Sequence, residues 1–113
     1  MTDDSTPITM SGDLERAAQV VDALTDVVDP EMSLDIVNLG LVYDVAAAAS
    51  EVTVTMTMTS AACPVTELIV ADIEERLAAL LPEGVAVRVD IVWEPPWTPE
   101  RMSARARSAM GWD

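Results

Sequence analysis

The stretch VTVTMTMTSAACPV, residues 52–65, decides how the rest of the chain reads. From Val52 to Thr59 the alternation is complete, with Val52, Val54, Met56 and Met58 on one side and Thr53, Thr55, Thr57 and Thr59 on the other. A period of two marks a strand with one face on a core, and β-branched threonine suits the opposite face of the pleat. After Ala62 the period lengthens. Val65, Leu68, Ile69, Ile73, Leu77, Leu80 and Leu81 trace one side of a helix, while Glu67, Asp72, Glu74 and Glu75 occupy much of the other, up to Pro82-Glu83-Gly84. A strand therefore hands over directly to a helix, and the chain's single cysteine, Cys63, sits at the junction.

Working outward, Val85, Val87, Val89, Ile91 and Trp93 alternate against Ala86, Arg88, Asp90 and Glu94, which predicts a further strand. Strand, helix, strand in succession calls for a parallel pair joined by a right-handed crossover. Upstream, Ala17, Val20, Val21, Leu24, Val27 and Val28 fall at helical spacing behind Ser11 or Asp13 as N-cap and ahead of Asp29-Pro30, giving a helix over roughly 13–28. DPEMSLDIVNLGLVYDV settles into a short strand at about 41–45, with Gly40 as the point of backbone licence. The AAAASE connection then returns the chain antiparallel to Val52, so the sheet is mixed. EPPWTPE breaks regularity, and Thr98 caps a last helix with Pro99 in its first position and Met102 and Ala106 on its apolar side. The expected fold is α/β, in a two-layer α+β form with order α-β-β-α-β-α and helices packed on a small mixed sheet. Residues 1–12 read as a disordered lead-in and 13–113 as a single domain.

Composition excludes several functions. The net charge is −14, and all six basic residues are arginines, three of them in the last thirteen positions. Such a body repels phosphate backbones and anionic lipid, so neither nucleic acid nor membrane is an expected partner. No apolar run approaches the roughly 18 residues of a membrane span, and MTDDSTPITM has the wrong polarity for a signal peptide, which makes the cytoplasm the expected location. One cysteine forms no internal disulfide. With no histidine, Cys/His and Ser-His-Asp catalysis lack their base, and the four glycines lack nucleotide-loop spacing. An enzyme is not expected.

Three places carry chemistry. With Pro64 at the first helical position, Cys63 is the N-cap, its sulfur among unpaired amide donors at the positive helix end, which pulls a thiol below its free pKa of about 8.5. The competing reading is a small buried hydrophobe. Asp29, Glu31 and Asp35 in DPEMSLD, with Asn38 beyond, either surround a thiol or a hard cation or simply serve turn chemistry. Trp97 with Arg101 and Arg105, in WEPPWTPERM and the helix after it, either packs over the sheet edge or presents a partner surface.

Taken in order, DPE, DIVNLGLVYDV, VTVTMTMTSAACP and VRVDIVWEPPWTPERMSARAR resemble the small SufT-like and PaaD-like proteins of iron–sulfur cluster assembly, which share the domain of the MIP-eighteen-type targeting factor. The resemblance spans about residues 13–112. It implies a maturation factor acting as adaptor or transient carrier for client apoproteins, with the family's reactive cysteine at Cys63 and its acidic elements at Asp29, Glu31 and Asp35. The chain lacks the cysteine-rich tail of PaaD-type members and the P-loop of carrier ATPases, so a stand-alone SufT-like factor is the nearest pattern. A cluster needs about four ligands and one chain offers a single thiol. No stably bound cofactor is therefore expected. A transient cluster with Cys63 as metal ligand would need a homodimer with added thiols, or a site shared with the assembly machinery or a client. The alternative is an interaction module without metal contact, built on Trp97 and the arginine helix.

Overall fold

The computed structural model describes residues 8–30, 32–58 and 63–111, with the side chains of residues 63, 64, 99 and 110 outside that description. Strand β1 spans Thr9–Gly12, helix α1 Leu14–Leu24, the two-residue strands β2 and β3 Val28–Asp29 and Leu34–Asp35, and strands β4 and β5 Val42–Ala47 and Glu51–Met56. Helix α2 covers Cys63–Leu80, strand β6 Ala86–Ile91, and helix α3 Ala104–Met110 after a 3₁₀ turn at Pro99–Arg101. The main sheet has the order β1-β4-β5-β6. β4 and β5 form the expected antiparallel hairpin, closed by Ala48 N–H on Glu51 O at 2.9 Å, and β5 and β6 run parallel around α2. The mixed sheet and its strand-helix-strand unit follow the sequence reading.

The alternation at β5 places the core. Val52, Val54, Met56 and Met58 are buried, and so are Val45 and Ala47 facing them from β4. α1 and α2 lie side by side over this face, contributing Ala17, Val20 and Leu24 from the first and Ile69, Ile73 and Leu77 from the second. Burying each of these larger aliphatic side chains contributes about 1.5–3 kcal/mol. The opposite face carries Asp44, Thr53, Thr55, Arg88 and Asp90, all at least partly open to solvent.

Four departures from the sequence reading have physical causes. Thr9–Gly12, expected within a disordered lead-in, pairs parallel with β4 as an edge strand; its partner supplies the order that its own exposed side chains do not advertise. Residues 1–7 lie outside the described residues. α1 stops at Leu24 rather than near 28, because Thr25 turns its hydroxyl onto Asp22 O at 2.5 Å and β-branched Val27 and Val28 peel off into extended chain. Its N-cap is Asp13, which accepts from Arg16 N–H at 3.1 Å. DPEMSLD contains the small β2–β3 pair, too short to show a period. Finally, Ser103 and not Thr98 caps the last helix, accepting from Ala106 N–H at 3.1 Å, while the Pro99 segment makes only a 3₁₀ turn.

The C-terminal segment folds back onto the chain between Asn38 and Tyr43. A bulge in β4 between Val42 and Asp44 makes Tyr43 the extra residue, and its hydroxyl donates to Pro95 O at 2.7 Å. Trp97 Nε1–H donates to Leu39 O at 2.7 Å, and the Arg101 guanidinium lies 4.6 Å from the centre of the Tyr43 ring. Met102 and Ala106 complete the seal beneath. The approach is close enough to require glycine at position 40, where φ is +78° and an added Cβ would stand 2.1 Å from Arg101 O. Gly84 has a similar φ of +91° but open space around it. Gly40→Ala is therefore expected to destabilise the fold by more than about 3 kcal/mol, against about 1 kcal/mol for Gly84→Ala, as read by denaturant unfolding.

Candidate functional site

Among the described residues, three polar side chains are fully buried: Asp29, Thr57 and Ser103. Burying such groups opposes folding unless they find partners, so their grouping in space carries information. All three attach to a single segment, residues 33–41. Asp29 pairs with Leu34 and accepts Ser33 N–H on its carbonyl at 2.7 Å. Thr57 N–H donates to Leu41 O at 2.8 Å, and Ser103 N–H donates to Asn38 O at 2.8 Å. Within the segment, Leu41 N–H bonds Ile36 O and Ile36 N–H bonds Val27 O, so backbone hydrogen bonds run without a gap from β2 to the end of β5. β2 also lies against α2. Segment 33–41 with its three buried polar attachments forms a polar corner, which meets the carboxyl end of β5 at the Leu41–Thr57 bond, where α/β crossovers tend to place ligands.

The expected site residues divide among three positions in this frame. The Asp29 carboxylate turns inward and accepts Met32 N–H at 3.4 Å. Glu31 lies outside the described residues. Asp35 and Asn38 form the firmest part of the corner: Asp35 accepts the Asn38 backbone N–H at 2.9 Å and its side-chain amide at 2.7 Å, and the Asn38 oxygen accepts from Ser103 Oγ at 2.7 Å. Their bonds close a local turn and also reach across the chain to Ser103. Among the described residues, no group of three or more cysteine, aspartate or glutamate side chains could hold a metal ion.

Cys63 is the first residue of α2, one position further into the helix than an N-cap, and its side chain lies outside the described residues. Its backbone stands at the amino end of an 18-residue helix, six residues beyond Thr57. Trp97 and Arg101 are occupied in fastening the C-terminal segment, the indole half-buried and the guanidinium over Tyr43, whereas Arg105 is exposed on α3.

Two members of the corner escaped the sequence reading. Thr57 belongs by alternation to the polar side of β5, yet it is fully buried and its hydroxyl has no hydrogen-bond partner among the described residues. Nothing in the pattern distinguishes it from Thr53 or Thr55. Ser103 had a usable signal, because a serine ahead of an Ala/Arg run is an ordinary N-cap, but the Thr98-Pro99 pair competed with it.

Because Asn38 and Ser103 share one side-chain bond, their losses are coupled. Asn38→Ala is expected to lower stability by about 2–3 kcal/mol and Ser103→Ala by about 1–2 kcal/mol, with the double variant less destabilised than their sum by about 1 kcal/mol in a denaturant double-mutant cycle.

The model of the iron–sulfur cluster assembly protein family matches residues 17–91. The Fe-S protein maturation auxiliary factor YitW of Bacillus subtilis is 50% identical over 93 residues, covering 81% of this chain and 90% of that protein. The auxiliary factor SufT of Staphylococcus aureus is 48% identical over 86 residues, 75% of this chain and 97% of that one. A crystal structure of a domain of unknown function from Bacillus anthracis superposes with a TM-score of 0.81 at 44% identity, covering 88% of this chain and 95% of that chain. From the first turns of α1 through to the end of β6, the chain belongs to the iron–sulfur cluster assembly protein family.

Proposed function

We propose that this protein is an auxiliary factor in the maturation of iron–sulfur proteins, and that it engages a cluster, or the carrier bringing one, at the polar corner beside Cys63. The observation that carries the reading is the convergence of Asp29, Thr57 and Ser103 on residues 33–41, at the end of the strand that leads to the chain's only thiol. A corner built for stability alone would replace the Thr57 hydroxyl, which has no partner among the described residues, with a methyl group. Relatives matched over 90% and 97% of their own length carry the name of maturation auxiliary factor, which supports the same role.

The cluster in this reading is cargo. A thiolate is the form of cysteine that binds iron, and an amino-terminal helix position favours that form. Clusters take about four ligands, so a single Cys63 contributes one contact while the donor or the client apoprotein supplies the others. That division suits transfer, because a site completed only by a partner releases its cargo when the partner leaves. The rest of the domain supplies position: β5 and α2 hold the thiol's backbone, and residues 33–41 form the wall. No covalent chemistry on a substrate is required, in keeping with relatives named as auxiliary factors. The rival reading, a docking module built on Trp97 and the arginine helix, draws less support because Trp97 and Arg101 already bind within the chain.

Two substitutions separate function from stability. Cys63→Ser should leave the unfolding free energy within about 1 kcal/mol of wild type while lowering the activity of iron–sulfur enzymes in a strain that depends on this protein. Thr57→Val should hold or raise stability by about 1 kcal/mol and still lower client activity, since it removes a buried hydroxyl whose absence harms only a partner. Undiminished client activity in both strains would contradict the proposed use of the corner.

A further inference from the structure

Strand β6 is an edge. β5 pairs along one side of it and α2 lies across its apolar face, but among the described residues no strand pairs with its outer side. The ladder to β5 uses alternate residues: Ala86 N–H donates to Ser50 O and Val92 N–H to Met56 O, each at 2.8–2.9 Å. By that parity Arg88 and Asp90 also turn their backbone groups toward β5, which leaves the N–H and C=O of Val87, Val89 and Ile91 pointing outward. The side chains of these three are only half-buried, although their counterparts Val52, Val54 and Met56 on β5 are fully covered. Just beyond them Trp93 is 49% exposed. Unpaired edges of this kind invite another strand, and charged side chains are the usual protection.

Here the charges have a particular arrangement. Arg88 and Asp90 sit two residues apart on the same face and bond each other at 3.0 Å, exposed by 63% and 40%. In an antiparallel pairing centred on Val89, residue 88 of one chain faces residue 90 of the other, so the protecting pair is complementary to its own two-fold copy.

We propose that β6 is a self-association edge, on which a second copy of this chain pairs its β6 antiparallel about a two-fold axis at Val89. In that register Val89 faces the partner's Val89, Val87 faces the partner's Ile91, and the outward backbone groups of all three close a hydrogen-bonded ladder. Arg88 then stands opposite the partner's Asp90 in the non-hydrogen-bonded positions, where Cα atoms approach to about 4.5 Å. Continued by two residues, the register sets Trp93 against the partner's Val85, covering the exposed ring. Moving the axis to Arg88 would face arginine with arginine, and moving it to Asp90 would face carboxylate with carboxylate, both destabilising. The charges thus select the register as well as the partner. Two copies of a chain with net charge −14 repel at long range, but physiological salt screens that repulsion beyond about 8 Å.

Sedimentation equilibrium of the purified chain at physiological ionic strength, from low micromolar concentration upward, tests the proposal. Wild type is expected to show a monomer–dimer equilibrium. Arg88→Asp and Asp90→Arg each place like charges opposite one another and should weaken self-association by about tenfold. Equimolar mixing of these two variants restores opposite charges at both positions and should give a dimer tighter than either variant forms alone. Val89→Pro removes an outward N–H without touching a bond to β5 and should abolish pairing, with circular dichroism verifying the fold of every variant. A wild type that stays monomeric throughout, variants that associate as wild type does, or a mixture no tighter than its components would each overturn the proposal.

Discussion

Four hydrogen bonds meet at Asn38, and the shape of the corner depends on them. Its backbone N–H and side-chain amide both go to Asp35, its side-chain oxygen takes the Ser103 hydroxyl, and its carbonyl takes the Ser103 N–H. One residue thereby closes a turn and fixes the start of a helix 65 positions away. The same Ser103 oxygen caps α3. Gly40 completes the constraint by letting Arg101 O approach where any side chain would collide. With segment 33–41 held from both ends, Leu41 O is in place to accept Thr57 N–H at the carboxyl end of β5, and the helix bearing Cys63 is the next element along the chain.

This arrangement shows where the molecule places polar groups against the preference of a core. The sheet and the two large helices mostly follow ordinary patterning, with aliphatic residues inside and charge outside, although Leu14, Leu68 and Leu80 lie exposed. Among the described residues, the fully buried carboxylate and the two fully buried hydroxyls all attach to segment 33–41. Such groups destabilise a fold unless satisfied, and proteins keep them where function needs them. The Ser103 hydroxyl is satisfied within the chain, as donor to Asn38 and acceptor for Ala106. The Thr57 hydroxyl has no hydrogen-bond partner among the described residues, and the proposed function rests on that difference.

How much of this was legible in the sequence depended on whether a feature repeats. The alternation through Met56 and the helical period from Val65 gave the crossover, and with it the mixed sheet and the placement of Cys63 at the start of α2, because many residues vote together in such patterns. β1 and the β2–β3 pair were not legible: two to four residues are too few for a period, and their order comes from partners distant in sequence. The burial of Thr57 was equally hidden, since the alternation in TVTMTMT puts it with the half-exposed Thr53 and Thr55 and nothing in it encodes the backbone bond to Leu41 O. Trp97 and Arg101 looked like a surface because their partners, Leu39 O and the Tyr43 ring, lie more than fifty residues away. The resemblance to iron–sulfur assembly proteins was borne out by the family match over residues 17–91.

The presence of a single cysteine permits an unusually direct test, because alkylation modifies one known atom in the whole chain. In a purified anaerobic system containing a cluster-loaded donor and an apo client enzyme, the rate at which client activity appears would be measured with native protein and with protein alkylated at Cys63. If the corner passes a cluster through that sulfur, native protein accelerates activation and the alkylated protein, its fold verified by circular dichroism, does not. Equal acceleration by both would contradict the role assigned to Cys63.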